Sequence, residues 1–223
     1  MPADRPSLRL YGITKRWPGA EHPVLSDVTV VLEPGSAMHL SGSNGVGKTT
    51  LLRIAAGLIR PEAGSVRLGD LDVEKDRTSF HRRIGFLAAA STGLYARLTV
   101  RDHLRFWSRV ALMESAERTP ACERALNAFE LRGLADRRVD RLSMGQRQRV
   151  RLAGAVLHDP AVVMLDEPMT SLDEVGVALL AAEVARLRSA GAATVLCSPS
   201  GEAEGPVRFD RRLTLREGRL VEA

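Results

Sequence analysis

The residues with the most definite chemistry form a glycine-rich loop that precedes a helical pattern. It matches the pattern G-x-x-x-x-G-K-[ST], in which backbone N–H groups surround phosphate oxygens. Glycine permits the positive φ angles and the close backbone approach that such a cradle needs. An apolar strand-like run precedes the loop, so the alternative of an ordinary glycine turn is disfavoured and a nucleoside triphosphate site is predicted. In chain order the candidate nucleotide-binding residues are Gly42, Ser43, Asn44, Gly45, Val46, Gly47, Lys48, Thr49 and Thr50.

Two side chains of this loop suit the charged parts of a bound nucleotide. Lys48 is placed to reach the β and γ phosphates, at the positive end of the helix that begins there. Thr49 offers a hydroxyl oxygen, the type of ligand that Mg²⁺ prefers. The loop therefore predicts Mg²⁺ together with the nucleotide.

A pair of carboxylates, Asp166 and Glu167, follows a continuous apolar run at 161–165. Such a run is typical of a parallel strand buried on both faces. Asp166 can hold Mg²⁺ through water, and Glu167 can polarise the water that attacks a phosphate. The predicted catalytic residues are thus Glu167 and Lys48, and the predicted metal ligands are Thr49 and Asp166.

The segments around these residues predict an α/β fold. Runs at Leu8–Ile13 and Val28–Leu32 indicate a small N-terminal antiparallel sheet, which leads into a nucleotide strand at Ala37–Leu40. A second strand pair is predicted at Ser65–Leu68 and Ile84–Leu87. The helix after the loop has an apolar face formed by Leu51, Ile54, Ala55, Leu58 and Ile59.

An arginine-rich helical region, from Val100 to about Leu134, interrupts the alternation of strands and helices. A helix at Val177–Arg188 and a strand at Ala193–Cys197 then follow, and the tail at Arg212–Val221 predicts a hairpin. We predict a single domain over residues 1–223, with a helical subdomain inserted at approximately 93–145. One face of the first inserted helix is predicted to contain Leu104, Trp107, Val110 and Ala111.

Composition restricts the classes of partner. The 223 residues carry 32 basic and 27 acidic side chains, and the basic ones are almost all arginine dispersed along the chain. With few aromatic residues among them, no nucleic-acid partner is expected; arginine bias or a position near anionic lipid are the remaining interpretations. No apolar run reaches the length of about 18 residues that a membrane span needs, and no signal peptide is evident, so we expect an intracellular protein. Cys122, Cys197 and the histidines lack the spacing of a metal site.

Two further motifs surround the carboxylates. The segment Leu142–Gln146 reads Leu-Ser-Met-Gly-Gln before an arginine-rich helix, and 171–173 reads Ser-Leu-Asp. In this order and spacing the chain resembles the ATP-binding subunits of ABC transporters over essentially its whole length. The resemblance implies the ABC ATPase fold: a P-loop NTPase core with an N-terminal antiparallel β subdomain and an inserted α-helical subdomain. It also implies ATP and Mg²⁺ as cofactors.

The same resemblance implies roles at the interface of a head-to-tail dimer. Ser143 and Gly145 of one subunit would contact the γ-phosphate held by the other, with Gln146 in the same motif and Asp173 lining the interface. Taken alone, the motif is also compatible with an ordinary helix N-cap at Ser143. Trp17 stands where the family places an aromatic that stacks on adenine, and a core role is the alternative.

Two residues expected from the family are missing. Ala89 stands near the place of a glutamine at the end of the strand Ile84–Leu87, and the only glutamines are Gln146 and Gln148. A switch histidine expected near Ser200 is absent as well, because the chain has no histidine after residue 158. Each lost contact in such a site costs about 2 to 4 kcal/mol of transition-state stabilisation, and the losses are not additive. The sequence therefore predicts ATP binding with weakened hydrolysis.

The resemblance implies an ATP-hydrolysing subunit that energises a transporter. The region 93–107 looks like that of small exporter ATPases, such as haem-exporter subunits of cytochrome c maturation or drug and lipid exporters. The implied partners are a transmembrane permease, which Leu94 and Tyr95 can contact, and a second ABC ATPase chain in a homodimer or heterodimer. The implied location is the cytoplasmic face of the membrane. The alternatives are a nucleotide sensor without useful turnover and a subunit that completes a partner's active site.

Overall fold

The computed structural model describes residues 5–89, 93–199 and 205–223 of the chain. Two short 3₁₀ turns, Arg132–Leu134 and Val139–Arg141, join the helices of the inserted region. The strands are β1 (Leu8–Lys15), β2 (Leu25–Leu32), β3 (Ala37–Ser41), β4 (Ala63–Leu68), β5 (Leu71–Asp72), β6 (Ile84–Leu87), β7 (Val162–Asp166), β8 (Ala193–Cys197), β9 (Arg211–Arg216) and β10 (Arg219–Glu222). The α-helices are α1 (Lys48–Ala55), α2 (Arg77–His81), α3 (Val100–Val110), α4 (Ser115–Ala128), α5 (Met144–Val156) and α6 (Glu174–Ser189).

The N-terminal sheet is antiparallel and has the strand order β2-β1-β4-β5. Leu8 and Leu10 of β1 are buried whereas Tyr11 is exposed, as expected for a sheet with one face on the core. Gly12, with a φ of 62°, lies where the register of β1 against β2 shifts, so the strand bends at this point. The predicted N-terminal antiparallel sheet is confirmed.

The second sheet places the ends of its parallel strands at one edge. Its order is β10-β9-β3-β8-β7-β6; β10 forms an antiparallel hairpin with β9, and the other neighbours are parallel. All residues of β7 and β8 are buried, which explains their continuous apolar sequences. Because β8 lies between β3 and β7, the loop after Ser41 and the carboxylates at Asp166 meet at the same edge.

The predicted pairing of Ser65–Leu68 with Ile84–Leu87 is wrong. Both segments are strands, but β4 pairs with β1 and β5, and β6 pairs in parallel with β7. The reason lies in the packing of β6 on α5: a Cβ atom at Gly85 would lie 2.3 Å from the carbonyl oxygen of Ala155. This close approach holds β6 beneath α5, beside β7 at the edge of the second sheet, and closeness in sequence was a poor guide to pairing.

Two predicted helix faces extend too far. Helix α1 ends at Ala55 and the chain turns at Gly57, so Leu58 is exposed rather than part of the apolar face. In α3 the buried residues are Val100, His103, Leu104 and Ser108, whereas Val110 is 62 % exposed. Val110 lies in the last turn, where the chain leaves the helix and no helix or strand in the described ranges covers it.

Two apolar clusters fill the space on either side of the second sheet. One joins the antiparallel sheet and α1 to one face of the sheet, and the other joins α3, α4, α5 and α6 to the opposite face. Trp107 of α3 packs against α5 at Gly154. None of the helices in the described ranges has the length and hydropathy required to cross a bilayer.

Candidate nucleotide-binding site

The glycine-rich loop joins β3 to α1 in a conformation that requires glycine. Gly42 and Gly47 have φ angles of 151° and 114°. A Cβ atom at Gly42 would lie 2.7 Å from the carbonyl oxygen of Leu215, and one at Gly47 would lie 2.8 Å from a methyl group of Val24. The loop is thus pressed against the β9–β10 hairpin on one side and the segment before β2 on the other. Its tip remains accessible: Ser43, Asn44 and Gly45 are exposed, and Val46 and Thr50 are half-buried.

Lys48 points its ammonium into the curve of the loop. Its Nζ donates to the carbonyl oxygen of Gly42 at 2.7 Å and to that of Ser43 at 3.0 Å, and the residue is only 6 % exposed. Among the described residues no carboxylate lies within ion-pair distance of this nitrogen. The charge of a buried cation that is held only by neutral carbonyls favours the binding of an anion beside it. The N-terminus of α1, where Lys48 lies, favours an anion at the same place.

Thr49 and Asp166 join the first turn of α1 to the end of β7. The hydroxyl of Thr49 donates to Oδ2 of Asp166 at 2.6 Å. Asp166 is 1 % exposed, and its Oδ1 has no hydrogen-bond partner among the described residues. An uncompensated carboxylate oxygen beside a hydroxyl is the donor set that a hard cation takes, so these residues fit Mg²⁺.

Cys197 lies opposite Asp166 in the pairing of β7 with β8. Burial raises the pKa of the Cys197 thiol, and the nearby Asp166 carboxylate raises it further. The thiol therefore stays protonated and behaves as a small apolar group rather than a nucleophile.

Glu167 directly follows Asp166 and lies in the turn after β7. Its φ angle is 50°, in the left-handed region, and its backbone N–H donates to the carbonyl oxygen of Cys197 at 2.9 Å. Pro168 is buried behind it, and the Glu167 carboxylate is half-buried at the same sheet edge as the loop. The fold thus brings Lys48, Thr49, Asp166 and Glu167 to one place.

The segment 143–146 starts α5 and lies against another turn. The hydroxyl of Ser143 accepts from the N–H of Gln146 at 3.2 Å, and Oε1 of Gln146 accepts from the N–H of Ser143 at 3.0 Å, which forms a capping box. A Cβ atom at Gly145 would lie 2.9 Å from the carbonyl oxygen of Ser171. Asp173 caps α6 by accepting from Gly176 at 2.8 Å. Within the described ranges no hydrogen bond joins this group to the loop at 42–49.

Trp17 lies in the turn between β1 and β2 and is 42 % exposed. The ammonium of Lys15 lies 5.1 Å from the centre of its ring. The exposure leaves a π-face available, which favours a stacking role over the alternative of a core role.

A polar network behind the carboxylates was not predicted from the sequence. Gln148 of α5 is 5 % exposed and donates from Nε2 to the carbonyl oxygen of Pro168 at 3.0 Å. Arg151, one turn later, donates to Oε1 of Gln148 at 2.7 Å and to the carbonyl oxygen of Ala88. A signal was available, because Gln148 shares the inward helix face of Leu152 and is a polar residue among buried apolar ones.

The network borders a cleft between the inserted helices and the sheet. The cleft has a volume of about 610 Å³, with walls from the end of α3, from β6 and from α5. Ala89 lies just beyond β6, whereas Ser200 falls outside the described residues. The lining residues include Phe86, Ala88, Trp107, Val110, Leu112 and Arg151.

Comparison with known proteins places the chain in a family. The model of the ABC transporter family matches residues 25–170. The cytochrome c biogenesis ATP-binding export protein CcmA of Roseobacter denitrificans is 41 % identical over 174 residues, which cover 78 % of this chain and 76 % of that protein. The cobalt import ATP-binding protein CbiO of Rhodobacter capsulatus is 33 % identical over 97 % of this chain and 78 % of its own length.

Other comparisons concern length and fold. The matched segments span only 60 %, 57 % and 48 % of three further relatives, so the chain is shorter than those proteins. A solved structure described as the ATP-binding subunit of an ABC transporter superposes with a TM-score of 0.84 over 96 % of this chain and 87 % of its own, at 24 % identity, which shows the shared fold. The chain belongs to the ATP-binding proteins of the ABC transporter family.

Proposed function

We propose that this chain binds and hydrolyses ATP to energise an ABC transporter, as one half of a head-to-tail dimer on a separate membrane permease. The observation that carries the proposal is the convergence of Lys48, Thr49, Asp166 and Glu167 at one sheet edge, with a buried cation and an uncompensated carboxylate oxygen. These groups match the charges of a triphosphate and its metal.

Each residue has a distinct part in the proposed reaction. The loop amides and Lys48 bind the β and γ phosphates; the Lys48 ammonium exchanges its carbonyl partners for phosphate oxygens. Thr49 and Asp166 hold Mg²⁺, which when bound neutralises phosphate charge. Glu167 orients the attacking water and accepts its proton, while Ser143 and Gly145 of the second chain close over the γ-phosphate. Trp17 stacks on the adenine.

The proposed permease contact is the cleft beside α3. Its walls combine the apolar side chains Phe86, Val110 and Leu112 with the cation of Arg151, and the exposed Tyr95 follows two residues after the lining residue Gly93. Such a surface suits an amphipathic helix of a membrane partner and would hold the chain at the cytoplasmic face of the membrane. Leu94 packs on the core instead.

Export is the proposed direction of transport. It rests on the likeness of residues 93–107 to small exporter ATPases of the haem, drug or lipid type and on the identity with CcmA. The relatives also include proteins named for import.

A second candidate follows from the missing glutamine and histidine. A chain that binds ATP but turns it over slowly would serve as a sensor, or would supply an intact 143–146 segment to the better-equipped site of a partner chain. The retained Glu167 favours the hydrolysing function over both.

The test is steady-state hydrolysis of Mg-ATP by the wild type, Glu167→Gln and the control Glu62→Gln, which changes an exposed carboxylate just before β4. We expect Glu167→Gln to lose about a hundredfold or more in rate with unchanged nucleotide affinity, and Glu62→Gln to match the wild type. Equal background rates in all three proteins, with ATP still bound, would reject hydrolysis and leave the second candidate.

A further inference from the structure

The backbone around Glu167 is held on both sides by hydrogen bonds. On one side, its own N–H donates to Cys197 of β8 at 2.9 Å. On the other, the carbonyl oxygen of Pro168 accepts from Gln148 at 3.0 Å. With a left-handed φ at Glu167, the direction of the carboxylate depends on keeping both anchors in place.

The second anchor does not stand alone. Gln148 has its amide oxygen occupied by Arg151 at 2.7 Å, which fixes the orientation of the amide so that its NH₂ group faces Pro168. The same guanidinium donates to the carbonyl oxygen of Ala88, at the end of β6. A continuous chain of hydrogen bonds thus runs from β6 to the turn that carries Glu167.

Arg151 also forms part of the cleft wall. Burial lowers the pKa of its guanidinium, because the charge is partly removed from water. A half-buried cation with two donors in one narrow network is costly to retain for packing alone. This network occupies the strand end at which the family's glutamine is missing from the sequence.

We propose that Gln148 and Arg151 are positioning residues, which together hold the Glu167 turn in the orientation needed for hydrolysis and connect it to the cleft wall. The inference rests on the proposed function for its catalytic consequence. Its structural consequence, the ordering of the turn, is measured independently of any activity.

The variants Gln148→Leu and Arg151→Met keep side-chain volume and remove the hydrogen bonds, and Arg149→Met is the matched control. Arg149 lies on the same helix but pairs with Glu130 and the carbonyl oxygen of Phe129, away from the carboxylates. We expect kcat to fall about tenfold in each of the first two variants, with KM and nucleotide affinity within about twofold of the wild type. The double variant should be no slower than the slower single one, since both act through one network.

Amide hydrogen exchange of the segment 162–172 gives the second readout, in the presence of Mg-ATP. We expect faster exchange in Gln148→Leu and Arg151→Met and wild-type exchange in Arg149→Met. Unchanged exchange in both variants would overturn the proposal. So would a double variant whose loss in kcat equals the product of the two single losses. If the wild type hydrolyses no ATP, the proposed function fails, and the exchange data still decide whether these residues order the turn.

Discussion

At the scale of single residues, Lys48 is where we expect one substitution to change nucleotide affinity most. Lys48→Ala removes the buried ammonium and with it the proposed charge-assisted contacts to the β and γ phosphates. We expect the affinity for ATP to fall about a hundredfold, measured by calorimetry with and without Mg²⁺. Lys75→Ala is the control, because Lys75 is an exposed lysine outside the loop. A similar loss in both variants would show a charge effect of the whole molecule instead.

His103 should make the stability of the fold sensitive to mild acid. Its Nε2 accepts from the N–H of Tyr95 at 2.8 Å and its Nδ1 donates to the carbonyl oxygen of Thr99 at 3.0 Å, partners that assign the neutral ring. Burial lowers the pKa of His103, and burial lowers the pKa of His158 as well.

The lowered pKa values of the two histidines determine how stability changes with pH. Below pH about 6.5 the unfolded chain binds protons at these histidines that the folded chain does not bind. The free energy of unfolding should therefore decrease as the pH falls from 7 to 5, measured by urea denaturation. The dependence should weaken in His103→Gln and His158→Gln but persist in His22→Gln. A flat profile in the wild type over this range would contradict the assignment.

At the scale of elements, the contact of α3 with α5 depends on Gly154, which has no side chain. A Cβ atom at Gly154 would lie 2.4 and 2.5 Å from ring atoms of Trp107. Helix propensity alone predicts that Gly154→Ala stabilises the protein by about 1 kcal/mol. Overpacking predicts the opposite, a loss of about 1 to 3 kcal/mol in the free energy of unfolding.

We expect the loss, measured by denaturation in urea. Gly133→Ala is the control, because among the described residues no atom outside its own local backbone lies within 4 Å of its Cβ position. Stabilisation by Gly154→Ala would mean that the Trp107 ring moves without cost.

Elements were predictable where one local pattern decided them. The continuous apolar run of β7, the β9–β10 hairpin and the cap at Ser143 all follow from neighbouring residues. Pairing of β6 with β7 depends on Gly85 beneath Ala155, two residues far apart in the chain, and the end of α3 depends on what covers Val110. Such long-range contacts leave no periodic signal.

At the scale of the whole molecule, the 143–146 segment of a second chain completes the site in the proposed dimer. We predict that Glu167→Gln forms dimers with Mg-ATP but not with Mg-ADP, because slowed hydrolysis retains the γ-phosphate that both chains would contact in that dimer. Multi-angle light scattering after size exclusion would measure this.

Adding Ser143→Arg to Glu167→Gln should abolish the dimer while single chains still bind ATP. Ser143 is exposed, so the arginine side chain has room in the monomer, and the lost cap on α5 costs about 1 kcal/mol of stability. Ser115→Arg, an equally exposed serine at the start of α4, should leave dimers intact. Dimers that persist in Ser143→Arg would place the contact elsewhere.

The residues of the candidate site that belong to sequence motifs were predictable. Lys48, Thr49, Asp166 and Glu167 were each identified from type and spacing, and the fold gathers them because parallel strands end at one edge. Gln148 and Arg151 belong to no motif of that kind, and their partners are backbone carbonyls of other elements. Sequence gives no sign of which carbonyl a side chain will meet.

The small number of lysines has a practical consequence for chemical labelling. Lys48 is enclosed by its loop, Lys15 lies half-buried against the Trp17 ring, and Lys75 is exposed. Among the three lysines, an amine-specific acylating reagent therefore meets one exposed target, Lys75, and one, Lys15, whose reactivity reports on whatever covers Trp17. Guanidinium groups do not react with such a reagent, so the many arginines give no background. If adenine stacks on Trp17 as proposed, its binding should therefore be measurable as protection of the Lys15 amine.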